Sequence, residues 1–178
     1  ILAPNPHNRQ PWLVDLGRED EVVLYADTDR LLPHTDPFSR QIVIGLGCFL
    51  ELMAMAAAED GYGVSFDLFP DGADAARLDG RPVAVARFEQ GAVARDPALF
   101  AEVLKRRSLK EPFDTARPVA GEVLQALEAA VSKGSVVGST NDMAQVAALR
   151  DLTVRAFEIE LNTPRTYHES VELFRIGK

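Results

Sequence analysis

Cysteine is almost absent from the sequence, which has a single residue of this type, Cys48. One cysteine cannot form a disulfide within the chain or supply a Cys-x-x-Cys pair for a metal or a redox reaction. The three histidines, His7, His34 and His168, are too far apart for the spacing of metal ligands. We therefore predict no metal site and no disulfide-stabilised scaffold, and we interpret Cys48 as a packing residue.

Positive charge is also scarce, because 19 Lys and Arg stand against 27 Asp and Glu, for a formal net charge of −8. Nucleic acids and anionic membranes both require a basic protein surface. The charge argues against nucleic acid and membrane as partners and favours a small molecule or a protein. Only residues 41–58 could suggest a membrane span, and they include Glu51, whose charge is costly at that depth. A buried helix is the better interpretation.

Apolar runs, turn residues and helix caps predict an α+β fold. Strands are predicted at 12–16, 22–26, 64–69 and 82–88, with a short one at 135–138. Helices are predicted at 97–105, 121–133, 142–161 and 165–175. The first two strands are separated by a polar segment that begins with glycine, which is typical of a β-hairpin.

The longest predicted helix begins at Asp36 and Pro37, a capping carboxylate followed by proline, and stops at Gly61. Its middle is apolar on nearly every face, and a helix that is apolar all round is buried all round. We expect it at the centre of the fold or at a subunit interface, and an ordinary core helix explains it equally well.

A basic segment brings Arg106, Arg107, Ser108 and Lys110 within five residues. In an extended backbone Arg106, Ser108 and Lys110 share a face, because alternate side chains point the same way. Arginine forms bidentate hydrogen bonds with phosphate, and serine and lysine add a neutral donor and a point charge. The segment suggests an anion site, although taken alone it favours a solvated basic turn, since short basic runs are common on surfaces.

A second distinctive segment packs amide side chains and a tryptophan between prolines, and it reads Pro4, Asn5, Pro6, His7, Asn8, Arg9, Gln10, Pro11, Trp12. Prolines fix the backbone and so direct the neighbouring amide and carbonyl groups. Such a loop can grip a planar ligand that is rich in heteroatoms. The alternative is a rigid loop that enters a strand, with Trp12 as a core anchor.

Together these segments resemble a known family. The pattern Ala-Pro-x-x-x-Asn-x-Gln-Pro-Trp at residues 3–12 resembles the signature loop of FMN-dependent nitroreductases, and Arg-Arg-Ser-x-Lys at 106–110 resembles their phosphate-binding segment. Residues 31–62 and 67–78 resemble the Acg branch of that superfamily, in which two nitroreductase-like halves are fused in one polypeptide. The resemblance covers nearly the whole chain.

The resemblance implies an α+β nitroreductase-like fold, with a central sheet flanked by helices and a long buried central helix. Residues 1–104 would be part of the first half and 105–178 the start of the second, in a fragment of a longer protein. FMN would lie between the two segments, in a homodimer or a fused pseudo-dimer. Its binding residues would be Pro4, Asn5, Pro6, Asn8, Gln10, Arg106, Arg107, Ser108 and Lys110.

The sequence departs from the family pattern in two places. Asn5 and Pro6 replace a pair of serines, and Pro6 has no backbone N–H to donate to the flavin. The second half offers only GSVVGSTNDMAQ at 134–145, without Gln-Pro-Trp, where the signature loop should recur. The resemblance therefore implies one complete FMN site and one eroded site.

The implied activity is hydride transfer from NAD(P)H to FMN and then electron transfer to a small aromatic acceptor, either a nitroaromatic or a quinone-like compound. The cofactor carries this chemistry, so no catalytic side chain is required. None is apparent, because the sequence has no Ser-His-Asp order and no His/Cys pair. The alternatives are a protein that stores or sequesters flavin without turnover, and a structural partner with both sites lost. We expect a cytoplasmic location, without excluding an export signal before Ile1.

Overall fold

The computed structural model describes residues 2–74, 76–91, 93–131 and 134–174. The chain forms two compact units. The first comprises Ile1–Arg107 together with Arg165–Lys178, and the second comprises Ser108–Pro164. These units are defined by contacts within the chain and do not test the division into fused halves at residues 104 and 105, which stays a prediction.

The described residues form an α+β fold, as predicted. Its strands are β1 (Trp12–Arg18), β2 (Glu21–Ala26), β3 (Tyr62–Leu68) and β4 (Pro82–Gln90). Its helices are α1 (Arg40–Glu59), α2 (Pro97–Phe100), α3 (Gly121–Ala129), α4 (Met143–Asn162) and α5 (Pro164–Glu172). The strands make one antiparallel sheet in the order β1-β2-β4-β3. The predicted hairpin is confirmed, because β1 and β2 pair with Trp12 opposite Ala26.

The core of the first unit lies between α1 and the sheet. Ile42, Leu46 and Leu50 recur at helical spacing and meet Leu24 of β2 and Ala84 of β4. Leu24, Ala84, Ile42 and Leu46 are completely buried. By length and composition α1 would also suit a membrane span, which for a single helix is weak evidence. These contacts are those of a core helix.

Two expectations for α1 are corrected. The helix begins at Arg40, three residues after Pro37, because Asp36 is buried and its carboxylate accepts a hydrogen bond from the Ile42 N–H at 2.9 Å. Asp36 therefore caps the helix from a position four residues before its first residue. The helix is also not buried all round, since Ile44 is 65% exposed. Within the first unit α1 has one buried face and one open face.

The other helices differ from prediction mainly at their ends. Asp96 caps α2 as predicted, by accepting a hydrogen bond from the Leu99 N–H at 2.9 Å, but α2 is a single turn and does not reach residue 105. The helix predicted at 121–133 ends at Ala129 and the one predicted at 165–175 ends at Glu172, although the predicted end residues themselves, Lys133 and Arg175, lie outside the described residues.

The second unit contains α3 and α4, and the strand predicted at 135–138 is wrong. These residues have no regular secondary structure, and Val136 is fully exposed. Two valines between Gly134 and Gly138 suggested a strand locally. A strand also needs a hydrogen-bonded neighbour, and the described part of this unit contains none.

The C-terminal helix α5 is fastened to the first unit through one carboxylate. Glu169 accepts hydrogen bonds from the His34 N–H at 3.1 Å and from the Thr35 N–H at 2.7 Å. It also accepts one from the Thr35 hydroxyl at 2.6 Å. Burial alone raises the pKa of Glu169, but the hydrogen bonds from Thr35 and His34 outweigh it, and the pKa lies below its ordinary value of 4.5.

This contact predicts a pH-dependent stability. A lowered pKa in the folded state stabilises the protein fully above about pH 4.5, and the contribution is lost as the pH falls through the folded-state pKa. Glu169→Gln should lower the free energy of unfolding by about 1–2 kcal/mol at pH 7. The deficit should shrink in acid. Denaturant titrations at pH 7 and at an acidic pH below the pKa of Glu169 measure this deficit. Glu172→Gln, at an exposed position on α5, is the control. A deficit equal at both pH values would contradict this role.

Candidate functional site

The N-terminal loop, residues 4–11, has a conformation fixed by its own side chains. The Asn5 amide oxygen accepts a hydrogen bond from the Gln10 N–H at 2.8 Å, and its amide nitrogen donates to the Ala3 carbonyl at 3.0 Å. His7, Asn8 and Gln10 have φ of 49°, 51° and 51°, the left-handed region that non-glycine residues rarely adopt. Such strain persists only where surrounding contacts enforce it.

Two arginines bind this loop to the turn Thr28–Arg30, which follows β2. The Arg9 guanidinium donates to the Arg30 carbonyl at 3.0 Å and to the Asp29 carbonyl at 2.9 Å. The Arg30 guanidinium returns a hydrogen bond to the Arg9 carbonyl at 3.0 Å. Where the loop ends, the Asp27 N–H donates to the Pro11 carbonyl at 2.9 Å. The loop is thus anchored to a neighbouring segment through backbone carbonyls.

Trp12, which follows the loop, enters β1 and packs its ring on Phe49 of α1 with the centroids 5.1 Å apart. This contact is the core anchor that was considered for Trp12 in the sequence. The tryptophan therefore joins the loop to α1 and explains why the loop precedes a strand.

The basic segment reaches the same region through Arg106. Its guanidinium donates to the Leu2 carbonyl at 3.2 Å, two residues before Pro4. Arg107 is bonded only locally in the described structure, to the carbonyls of Leu104 at 2.8 Å and Arg106 at 2.7 Å. Both arginines are exposed, and neither has a carboxylate partner among the residues that the structure describes. Their charges are therefore available to an anion.

An apolar cavity of about 490 Å³ lies beside both segments. The residues that line it include Leu2, Ala3, Phe49, Met53, Val103 and Leu104. Leu2 and Ala3 directly precede the N-terminal loop, and Val103 and Leu104 lie three and two residues before Arg106. Its volume is within the range of small-molecule sites, which are mostly apolar with polar groups at the edge.

The relatives of the chain among known proteins include two from Mycobacterium tuberculosis. The chain is 31% identical over 113 residues to the protein named "Putative NAD(P)H nitroreductase acg" in strain H37Rv, over 63% of this chain and 34% of the relative. It is 28% identical over 149 residues to "Putative NAD(P)H nitroreductase Rv3131", over 84% of this chain and 40% of the relative. The chain is a distant homologue of both. No protein-family model matches it.

The resemblance to Acg-like nitroreductases is therefore confirmed. The chain spans only 34% and 40% of the length of these two curated relatives. The relatives' names concern whole proteins, so cofactor, substrate and assembly of this homologue are matters for proposal.

The structure separates the nine predicted site residues of this nitroreductase homologue into two groups. The first unit contains seven of them, namely Pro4, Asn5, Pro6, Asn8, Gln10, Arg106 and Arg107. Ser108 and Lys110 belong to the second unit, where both are exposed. The shared face expected for Arg106, Ser108 and Lys110 stays a prediction. Asn5 differs most from expectation, since its side chain is engaged inside the loop rather than free for a ligand.

Two features were missed in the sequence. The cavity was not predicted, although Phe49, Leu52, Met53 and Ala56 recur on one side of α1 and could have indicated a second apolar stripe. Gly45 was not predicted either. It is buried in α1, and a Cβ atom placed there would lie 2.9 Å from the Asn5 Cβ. A glycine inside an otherwise apolar helix is the signal that could have found it.

Proposed function

We propose that this chain provides an FMN site to an NAD(P)H-dependent oxidoreductase of nitroreductase type. The observation that carries the proposal is the apolar cavity beside the N-terminal loop and Arg106, the two segments that resemble the family's flavin site. The distant homology to two proteins named as nitroreductases supports the same function.

The residues present fit FMN. The cavity suits the apolar edge of the flavin ring, because its walls are aliphatic and aromatic side chains such as Leu52, Met53 and Phe100. These walls would shield one side of the ring from water.

The cations suit the phosphate. The Arg106 guanidinium donates a hydrogen bond to the carbonyl of Leu2, which lines the cavity, and Arg107 follows it in sequence. A guanidinium binds phosphate through two parallel hydrogen bonds. In a chain with a net charge of −8, these two cations, which have no carboxylate partner among the described residues, form a local site of the required sign.

The amide groups suit the polar edge of the ring. Asn8 is exposed and Gln10 is half-buried, and each carries an amide that can donate and accept hydrogen bonds. Asn5 contributes indirectly, because its amide already bonds to Ala3 and to Gln10. The proposed division of roles is therefore that Asn5 shapes the loop, whereas Asn8 and Gln10 contact the ligand.

When bound, FMN supplies the hydride and electron transfer between NAD(P)H and a nitroaromatic or quinone-like acceptor. The chain's own residues bind the phosphate, orient the ring and exclude water. No side chain of the chain is given a catalytic role. A second half or second copy of the fold completes the site in this proposal.

Flavin titration tests the proposal. The purified chain should take up one FMN per chain, measured as flavin absorbance against protein concentration, because it has one loop and one basic segment of the expected type. NAD(P)H should then remove the visible absorption of the bound flavin. A bound flavin that NAD(P)H does not reduce would support the flavin-storage alternative. A ratio near two, or a chain that takes up no flavin, would contradict the proposed site.

A further inference from the structure

Gly45 lies where α1 passes closest to the N-terminal loop. A Cβ atom at this position would be 2.9 Å from the Asn5 Cβ, 3.3 Å from the Asn5 Cα and 3.3 Å from the Pro4 carbonyl oxygen. Two of these neighbours are backbone atoms, which cannot rotate out of the way. Any side chain at residue 45 must therefore move the loop or the helix.

The residue that Gly45 faces controls the shape of the loop. Asn5 bonds through its side chain to Ala3 on one side and to the Gln10 N–H on the other. Between these two contacts lie His7 and Asn8 in the left-handed region, and Gln10 shares that conformation. A displacement of Asn5 would release the Gln10 N–H and with it the strained backbone.

We propose that Gly45 is a positioning residue for the N-terminal loop, residues 4–11. Its lack of a side chain lets α1 support Asn5, and Asn5 in turn keeps Asn8 and Gln10 in a preformed binding conformation. The inference rests on the proposed FMN site. A preformed loop raises affinity because less conformational entropy is lost when the ligand binds.

The same helix contains a matched control. Gly47 is exposed and has no atom within 4 Å of the position that a Cβ would take, in the part of the chain that the structure describes. Alanine raises helix propensity by a similar amount at either position, since both lie inside α1. The difference between Gly45→Ala and Gly47→Ala therefore isolates the contact with the loop.

The expected result is a loss of flavin affinity that a loss of stability does not explain. In the full chain, Gly45→Ala should bind FMN at least about tenfold more weakly than Gly47→Ala, because crowding a well-packed contact forces the neighbouring backbone to shift. In the absence of flavin, NMR-detected hydrogen exchange of the Gln10 amide should be faster in Gly45→Ala than in Gly47→Ala. The exchange of core amides in β2 should be unchanged.

A second variant addresses the same loop through a different contact. Arg9→Ala removes the hydrogen bonds to the Arg30 and Asp29 carbonyls and leaves α1 untouched. It should also speed Gln10 exchange and weaken FMN binding. Arg18→Ala removes an equal charge at an exposed position on β1 and should do neither. If Gly45→Ala does not fold, this pair tests the premise on which the role of Gly45 depends, and wild-type affinity in Arg9→Ala would overturn it.

The outcomes separate the inference from the proposed function. If the wild-type chain binds FMN and both Gly45→Ala and Arg9→Ala match their controls in affinity, the positioning role is wrong and the FMN site stands. If the wild-type chain binds no FMN, the proposed function fails. Gln10 exchange then still reports whether Gly45 supports the loop, and unchanged exchange would overturn that support as well.

Discussion

Leu46→Asp should unfold the first unit. Leu46 is completely buried between α1 and the sheet, where a carboxylate would have neither water nor a partner. An unpaired buried charge costs several kcal/mol, which is a large fraction of the 5–15 kcal/mol that stabilises a typical domain. We expect the cooperative thermal transition followed by circular dichroism to be lost or to shift far downward.

Ile44→Asp on the same helix is the matched control. Ile44 is 65% exposed, so a charge there should remain hydrated and the melting temperature should change little. A folded Leu46→Asp variant with the wild-type melting temperature would show that α1 is not the core helix. If Ile44→Asp instead dissociates an oligomer, measured by sedimentation, the open face of α1 is a subunit interface, as one of the sequence-based alternatives expects.

Arg106→Ala should weaken FMN binding by roughly tenfold to a hundredfold. Hydrogen bonds to charged groups contribute about 1.5–3 kcal/mol each, and 1.4 kcal/mol is a factor of ten in affinity. The measurement is a flavin titration of the apo-protein. Lys105→Ala is the control, because Lys105 is engaged in an ion pair with Glu102 at 2.8 Å and is not assigned to the site.

A second ligand makes the Arg106 experiment specific. Riboflavin has the same ring as FMN but lacks the phosphate, so its affinity should be nearly the same for the wild type and Arg106→Ala. If both ligands lose affinity equally, Arg106 acts by fastening Leu2 at the cavity and not by binding phosphate. Unchanged affinity for FMN would remove Arg106 from the site altogether.

Local sequence signals were sufficient for most of the elements. The hairpin was predicted because two apolar runs flank a polar turn, and α1 because a cap precedes an apolar run of helical length. The strand at 135–138 was wrong because strand formation depends on a neighbour that local sequence does not reveal. The open face of α1 in the single chain was not foreseen for a similar reason, since composition cannot say what covers each face of a helix.

The candidate site was predictable only where it is continuous in sequence. The loop at residues 4–11 and the segment at 106–110 stand out because each concentrates distinctive residue types. The cavity combines residues 2–3, residues 49–56 of α1 and residues 100–104, all in the first unit, and no short pattern spans these distances. The internal role of Asn5 was also hidden, because the sequence shows an available amide but not the bonds that already occupy it.

The contact between Thr35 and Glu169 spans 134 residues of sequence. During synthesis the hairpin, α1 and β4 all leave the ribosome long before Glu169 is translated. A nascent first unit therefore exposes the His34 and Thr35 amides to water until α5 arrives. Contacts of such long sequence separation form late, because closing a long loop costs conformational entropy before the contact can stabilise the fold. The chain must accordingly make its second unit, Ser108–Pro164, before it can finish its first.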